Sequence, residues 1–146
     1  MEKRVLNDLH TNNNSVLVEC GCSCACSFMR LYKECDDRYG ISIYSGYYNK
    51  KYVKLENKLK FTREELNELA LLIKVVFAER DGYTLNIYLD CGCYIELGKV
   101  DGSGKNDCVS IIFYLTENSF VKEKSAYDLM LNRDMVTKFL ESIATI

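Results

Sequence analysis

The sequence predicts an α+β fold: two tandem ββββα repeats forming one pseudo-twofold domain with antiparallel sheets and two helices. Three observations predict it. Most of the chain alternates apolar and polar residues with period 2, the pattern of strands with one buried face. Two stretches, opening at Thr62 and Asn132, switch to helical spacing behind a polar cap residue. There is also an internal echo. Residues 16–22 read VLVECGC and residues 87–93 read IYLDCGC, 71 positions later. Further matches follow at a shift of 70: ISIY at 41–44 with IIFY at 111–114, and FTREEL at 61–66 with LNRDMV at 131–136. The repeats are expected over about 15–80 and 83–146, within one domain spanning 1–146.

Taken in order, Met1–Asn14 reads as a short helix or arm that ends in the polar turn Thr11-Asn12-Asn13-Asn14. Residues 16–33 are expected to form a strand pair bent near Gly21 and Ser23. Val16, Val18, Cys20, Cys22, Cys24, Cys26 and Phe28 share one parity and are assigned to the buried face. Glu34–Arg38 is a turn. Tyr39–Tyr48 is a third strand, with Ile41 and Ile43 on one face and Ser42 and Tyr44 on the other. Asn57–Phe61 is the fourth.

Thr62 and Glu65 make a capping box, each side chain meeting the other's orphan amide. Leu66, Leu69, Ala70, Ile73, Val76 and Phe77 stripe the helix that follows, which is expected to run to Arg80 before Asp81-Gly82. The second half repeats the order. Tyr83–Lys99 is a strand pair, Asp101-Gly102-Ser103-Gly104 a turn, Cys108–Thr116 a strand and Ala126–Leu131 a short strand. Asn132 caps a last helix carrying Met135, Val136, Phe139, Leu140 and Ile143.

Composition narrows the function classes. Hydrophobic residues are 48% and charged residues 27%, an ordinary globular balance. No apolar run reaches the roughly 18 residues of a membrane span. The N-terminal residues lack the apolar core of a secretory signal, so a cytoplasmic location with reduced thiols is expected. Eight cysteines then read as buried thiols or metal ligands sooner than as disulfides. The net charge of −2 argues weakly against strong nucleic-acid binding, but charge is uneven. Residues 30–63 carry nine Lys/Arg against four Asp/Glu, whereas acids outnumber bases after Arg80.

Residues 39–73 carry a resemblance. They read YGISIYSGYY, NKKYVK, NKLKF and TREELNELALLI: an aromatic strand, a basic loop, a short strand, and a capped leucine helix. This order resembles the single-stranded-DNA-binding transcriptional positive cofactor family. The two-unit plan is similar to that of Whirly and Pur-type proteins. The resemblance implies binding of single-stranded nucleic acid without enzymatic activity. The residues themselves suit that role: Tyr44, Tyr47, Tyr48 and Tyr52 for base stacking, and Lys50, Lys51 and Lys54 for phosphates. The same lysines also suit a solvated edge strand that discourages aggregation. The cysteine-rich first strands and the acidic second half depart from the family pattern.

Other readings stay open. The cysteine parity favours small buried hydrophobes, since C-x-C on an extended strand does not converge two sulfurs as structural zinc sites do. No cofactor is expected. If zinc binds, Cys20, Cys22, Cys91 and Cys93 are the candidate ligands. One histidine, His10, gives little basis for a cysteine–histidine catalytic pair. DGSG at 101–104 lacks the Lys-Ser/Thr of a phosphate loop. The composition also suits a small phage or mobile-element protein that inhibits a host defence nuclease through its acidic half. Homo-oligomerisation is compatible with either role.

Overall fold

The computed structural model describes residues 16–23, 26–46, 54–89, 94–101, 107–115 and 125–146. Four strands, β1 (Val16–Gly21), β2 (Ser27–Cys35), β3 (Arg38–Ser45) and β4 (Lys54–Thr62), lead into helix α1 (Arg63–Phe77). Then β5 (Thr84–Tyr88), β6 (Tyr94–Val100), β7 (Cys108–Leu115) and β8 (Ser125–Asn132) lead into α2 (Arg133–Ala144). Each set of strands forms its own antiparallel sheet in sequence order, β1-β2-β3-β4 and β5-β6-β7-β8. This is the expected α+β arrangement in two ββββα parts. No helix among the described residues is long and apolar enough to cross a membrane.

Local chemistry accounts for the boundaries. The β2–β3 turn is Asp36-Asp37, with Asp37 at φ 59°, a conformation that aspartate tolerates better than most residues. The Asp37 carboxylate accepts from the Arg63 amide at 3.3 Å, which places a negative charge on the first turn of α1. Thr62 and Glu65 form the capping box: the Thr62 amide donates to the Glu65 carboxylate at 2.9 Å, and the Glu65 amide to the Thr62 hydroxyl at 3.1 Å. Asn132 caps α2 alone, because Met135 stands where the acid would be. α1 ends at Phe77, earlier than Arg80, with the Ala78 amide bonded back into the last turn. Gly82, at φ 86°, serves the following turn, where its amide reaches the Lys99 carbonyl.

The inner faces of the two sheets meet the helices in one apolar cluster. β1 contributes Val18 and Cys20, β2 Met29 and Leu31, and β3 Ile41 and Ile43. From the second sheet come Ile95, Leu97, Ile111 and Phe113, and from the helices Leu66, Ile73, Val136 and Phe139. The helices are shared between sheets. α1 packs on β3 and β4 and also on β5, β6 and β7, while α2 packs on β1 as well as β7 and β8. Burying each large aliphatic chain here contributes roughly 1.5–3 kcal/mol, so both halves depend on the shared core.

Two sequence expectations are corrected. First, parity does not run unbroken from Val16 to Phe28. Val18 and Cys20 face the core, but Met29 and Leu31 do so on β2, so Phe28 lies on the opposite face. The connection between β1 and β2 resets the alternation. Second, the ladders do not follow the 71-residue echo. Cys20 opposes Met29 as Ile87 opposes Ile95, so β1 matches β5 at a shift of 67. Glu19 then corresponds to Asn86, not to Asp90. Phe28 and Tyr44 pair as Tyr94 and Tyr114 do, which places β2 against β6 at 66 and β3 against β7 at 70. The arm at 1–14, the glycines at 102 and 104, and Cys91 and Cys93 lie outside the described residues.

Lys99 joins the parts at one end. It continues the inward row Ile95, Leu97 and is only 6% exposed. Its stem lies in the apolar layer, and its amine donates to the carbonyls of Phe77 at 2.6 Å and Glu79 at 2.9 Å. Carboxylates of Asp101 at 3.5 Å and Asp107 at 3.8 Å complete the shell. A cation thus sits on the carbonyl end of α1 and ties it to β6. Replacing Lys99 by Met keeps the stem and removes the donors. The expected loss is about 2 kcal/mol, read as a lower urea midpoint at unchanged slope.

Candidate nucleic-acid interface

Because the inner faces are consumed by the core, the candidate site lies on the outer face of the first sheet. Strand pairing lays it out in rows. Gly21, Phe28 and Tyr44 form one row, and Glu19, Arg30, Ser42 and Lys58 the next. Tyr32, Gly40 and Lys60 form the third. Phe28 and Tyr44 stack with centroids 4.8 Å apart and planes at 11°. The Arg30 guanidinium covers both, 5.4 Å from the Phe28 centroid and 5.6 Å from that of Tyr44. Its Nε donates to Glu19 at 2.7 Å, which uses one of the five guanidinium donors and fixes its position over the rings.

The third row has a different device. Tyr32 lies across Gly40, where an added Cβ would collide with the phenol ring. Lys58 stands over the half-buried Tyr32 ring, 5.6 Å from its centroid. Lys60 is mostly exposed and reaches Glu34 at 3.2 Å, a surface pair worth at most about 1 kcal/mol and easily exchanged for a phosphate. Burial pushes the phenols of Tyr32 and Tyr44 up, with the Ser42 hydroxyl acting in the opposite direction. Both therefore remain neutral rings at physiological pH. The face alternates cations and π-surfaces over adjacent strands.

The sequence-derived candidates fare unevenly. Tyr44 is fully buried under this stack, so it supports the surface and does not offer a face to a base. Lys54 begins β4 opposite Ser45; its side chain lies outside the described residues, as do Tyr47, Tyr48, Lys50, Lys51 and Tyr52. Arg30 and Tyr32 were missed because the parity reset hid which face of β2 they occupy. The signal that finds them is the register: once Ile41 and Ile43 are inside, Ser42 and Gly40 are outside, and so are their partners.

Among the described cysteines Cys20, Cys22 and Cys108 are buried, whereas Cys35 and also Cys26, which the alternation assigned to the buried face, are exposed. Cys20 is fully buried beneath α2, its thiol 3.8 Å from the Met135 carbonyl. Burial pushes that thiol up to about 12, outweighing the nearby Lys138 charge. Cys22 accepts from the Met130 amide at 3.2 Å, and the Ser23 amide donates to the Met130 carbonyl at 2.8 Å. These two residues clamp the end of β1 to β8 of the other sheet. Of the four candidate zinc ligands, Cys91 and Cys93 lie outside the described residues. Among the described residues no group of three or more histidine, cysteine or acidic side chains is placed to hold a metal. Comparison with protein-family models and with curated proteins yields no match to this chain.

The contrast between thiols is measurable. Exposed Cys35 should alkylate readily at pH 8 in the folded protein, while Cys20 should react only on unfolding. The sign of the pH effect follows from the raised value. The unfolded thiol ionises near its ordinary value of 9.0, the folded one near 12. The Cys20 contribution to stability is therefore full below pH 9 and lost as pH rises toward 12, visible as a declining melting temperature that Cys20→Ala makes shallower.

Proposed function

We propose that this protein is a non-enzymatic single-stranded nucleic-acid-binding module that uses the outer face of its first sheet. The observation that carries the reading is the cation–aromatic face of β2, β3 and β4, with Arg30, Tyr32, Lys58 and Lys60 on adjacent ladder positions. Flexible phosphates meet the lysines, drawing Lys58 off the half-buried ring of Tyr32, on which a base then stacks. The chain between β3 and β4, with Tyr47, Tyr48, Lys50, Lys51 and Tyr52, adds residues of the same chemistry next to this face in sequence. We further propose that the two ββββα parts are tandem repeats about a pseudo-twofold axis. The shared pairing scheme of the two sheets and the matched caps at Thr62 and Asn132 support this.

The test is fluorescence anisotropy with single- and double-stranded DNA and RNA at two salt concentrations. Single strands should bind more tightly, with affinity falling steeply as salt rises. Lys58→Glu/Lys60→Glu should weaken binding by about tenfold or more, and Lys50→Glu/Lys51→Glu should abolish it. No binding at low salt, or equal affinity in these variants, ends the proposal.

A further inference from the structure

β5 is an outermost strand of the second sheet. It pairs with β6, and among the described residues no strand pairs with its other edge. The ladder shows which of its backbone groups face that edge. The Lys99 amide donates to the Tyr83 carbonyl at 2.8 Å, next to the Thr84–Gly98 pair. Hydrogen-bonded pairs alternate along an antiparallel ladder, so Leu85 and Ile87 bond to Leu97 and Ile95. The amides and carbonyls of Thr84, Asn86 and Tyr88 therefore point away from β6. The side chains of these three residues are exposed, Tyr88 at 74%.

Exposed edges are ordinarily blunted by charge, by irregular pairing or by a cover. The other edge strands have such devices. β4 carries Lys54, Glu56, Lys58 and Lys60. β1 carries Glu19 and a register shift between Val16 and Val18. β8 carries Asp128 and is bonded at Met130 by Cys22 and Ser23. β5 reads TLNIY, with no charge and no shift in register.

We propose that two copies of this chain associate through β5, antiparallel about a twofold axis at Asn86, so that their second sheets run on as one. The strand matches itself in this register. Asn86 opposes the partner's Asn86, and Thr84 opposes the partner's Tyr88. These are the residues with outward amides and carbonyls, so each opposing pair exchanges both hydrogen bonds. An axis at Leu85 or at Ile87 leaves Tyr88 or Thr84 without a counterpart in the strand. On the inner face Leu85, half-buried against the core, meets the partner's Ile87, and pairing covers the apolar surface that remains. On the outer face the Tyr88 ring meets the methyl group of the partner's Thr84, a favourable cross-strand pair. No charge is brought against its own copy. This self-match in backbone, shape and charge names a second copy as the occupant. The contact is small, so the dimer forms only as concentration rises. It lies in the other sheet from the nucleic-acid face and does not rest on that reading.

The test uses the full chain in sedimentation equilibrium over a range of concentrations, with amide hydrogen exchange followed by nuclear magnetic resonance at both ends of the range. The mass should rise from one chain to two and stop there. The amides of Thr84, Asn86 and Tyr88 should gain protection with concentration, while those of Leu85 and Ile87 are protected throughout. Asn86→Lys sets like charges together at the axis and should weaken the dimer about tenfold or more. Should that variant disturb the fold by circular dichroism, Asn86→Glu makes the same like-charge contact, and the alternating exchange pattern of the native chain decides without either. A single-chain mass at every concentration, growth past two chains, or a dimer that neither variant weakens overturns the proposal. So does protection of the three amides in the monomer, which shows another segment covering the edge.

Discussion

A four-stranded sheet with one helix leaves apolar surface in water unless something else covers it, and the rest of this structure follows from how that surface is covered. Each helix lies across both sheets. α1 touches β5, β6 and β7 beyond its own half, and α2 reaches back to β1. Leu66 and Ile73 therefore pack in the same cluster as Ile95 and Phe113. The small thiol of Cys20 lets α2 approach β1, and Cys22 with Ser23 closes the edge against Met130. Lys99 closes the opposite end through the last carbonyls of α1. The expected behaviour is joint unfolding, because neither sheet has a complete core of its own.

This covering also dictates where function can lie. With both inner faces occupied, the outer faces are what the molecule presents to others. They share a framework, since a cross-strand aromatic pair occupies the same ladder position in each sheet. What differs is the charge in the adjacent row, Arg30 and Lys58 in one and Glu96 and Asp128 in the other. The two faces thereby carry different charge on one framework.

Much of the fold was legible in the residues. Alternation in ISIY separated the two faces of β3 correctly, and the polar caps marked both helix starts to within a residue. The site was less legible. Tyr44 was chosen for its place in an aromatic-basic run, yet it is covered by Phe28 and Arg30. Exposure depends on what crosses a residue in space, and no run of neighbours in sequence reports that. Arg30 and Tyr32 escaped for a related reason: period-2 reading fails at a connection, where the face of the next strand is set anew.

The sequence by itself determined the order of strands and helices and the caps, because these rest on interactions within a few residues. Tertiary structure alone decided which ladder positions correspond in the two sheets. The repeated Cys-Gly-Cys looked equivalent at 20–22 and 91–93, but Cys20 opposes Met29 in the first sheet as Ile87 opposes Ile95 in the second. It also decided that a guanidinium lies on one aromatic pair and a carboxylate beside the other. Register between strands is settled by side chains packing across a sheet, and that packing is written in no single stretch of the chain.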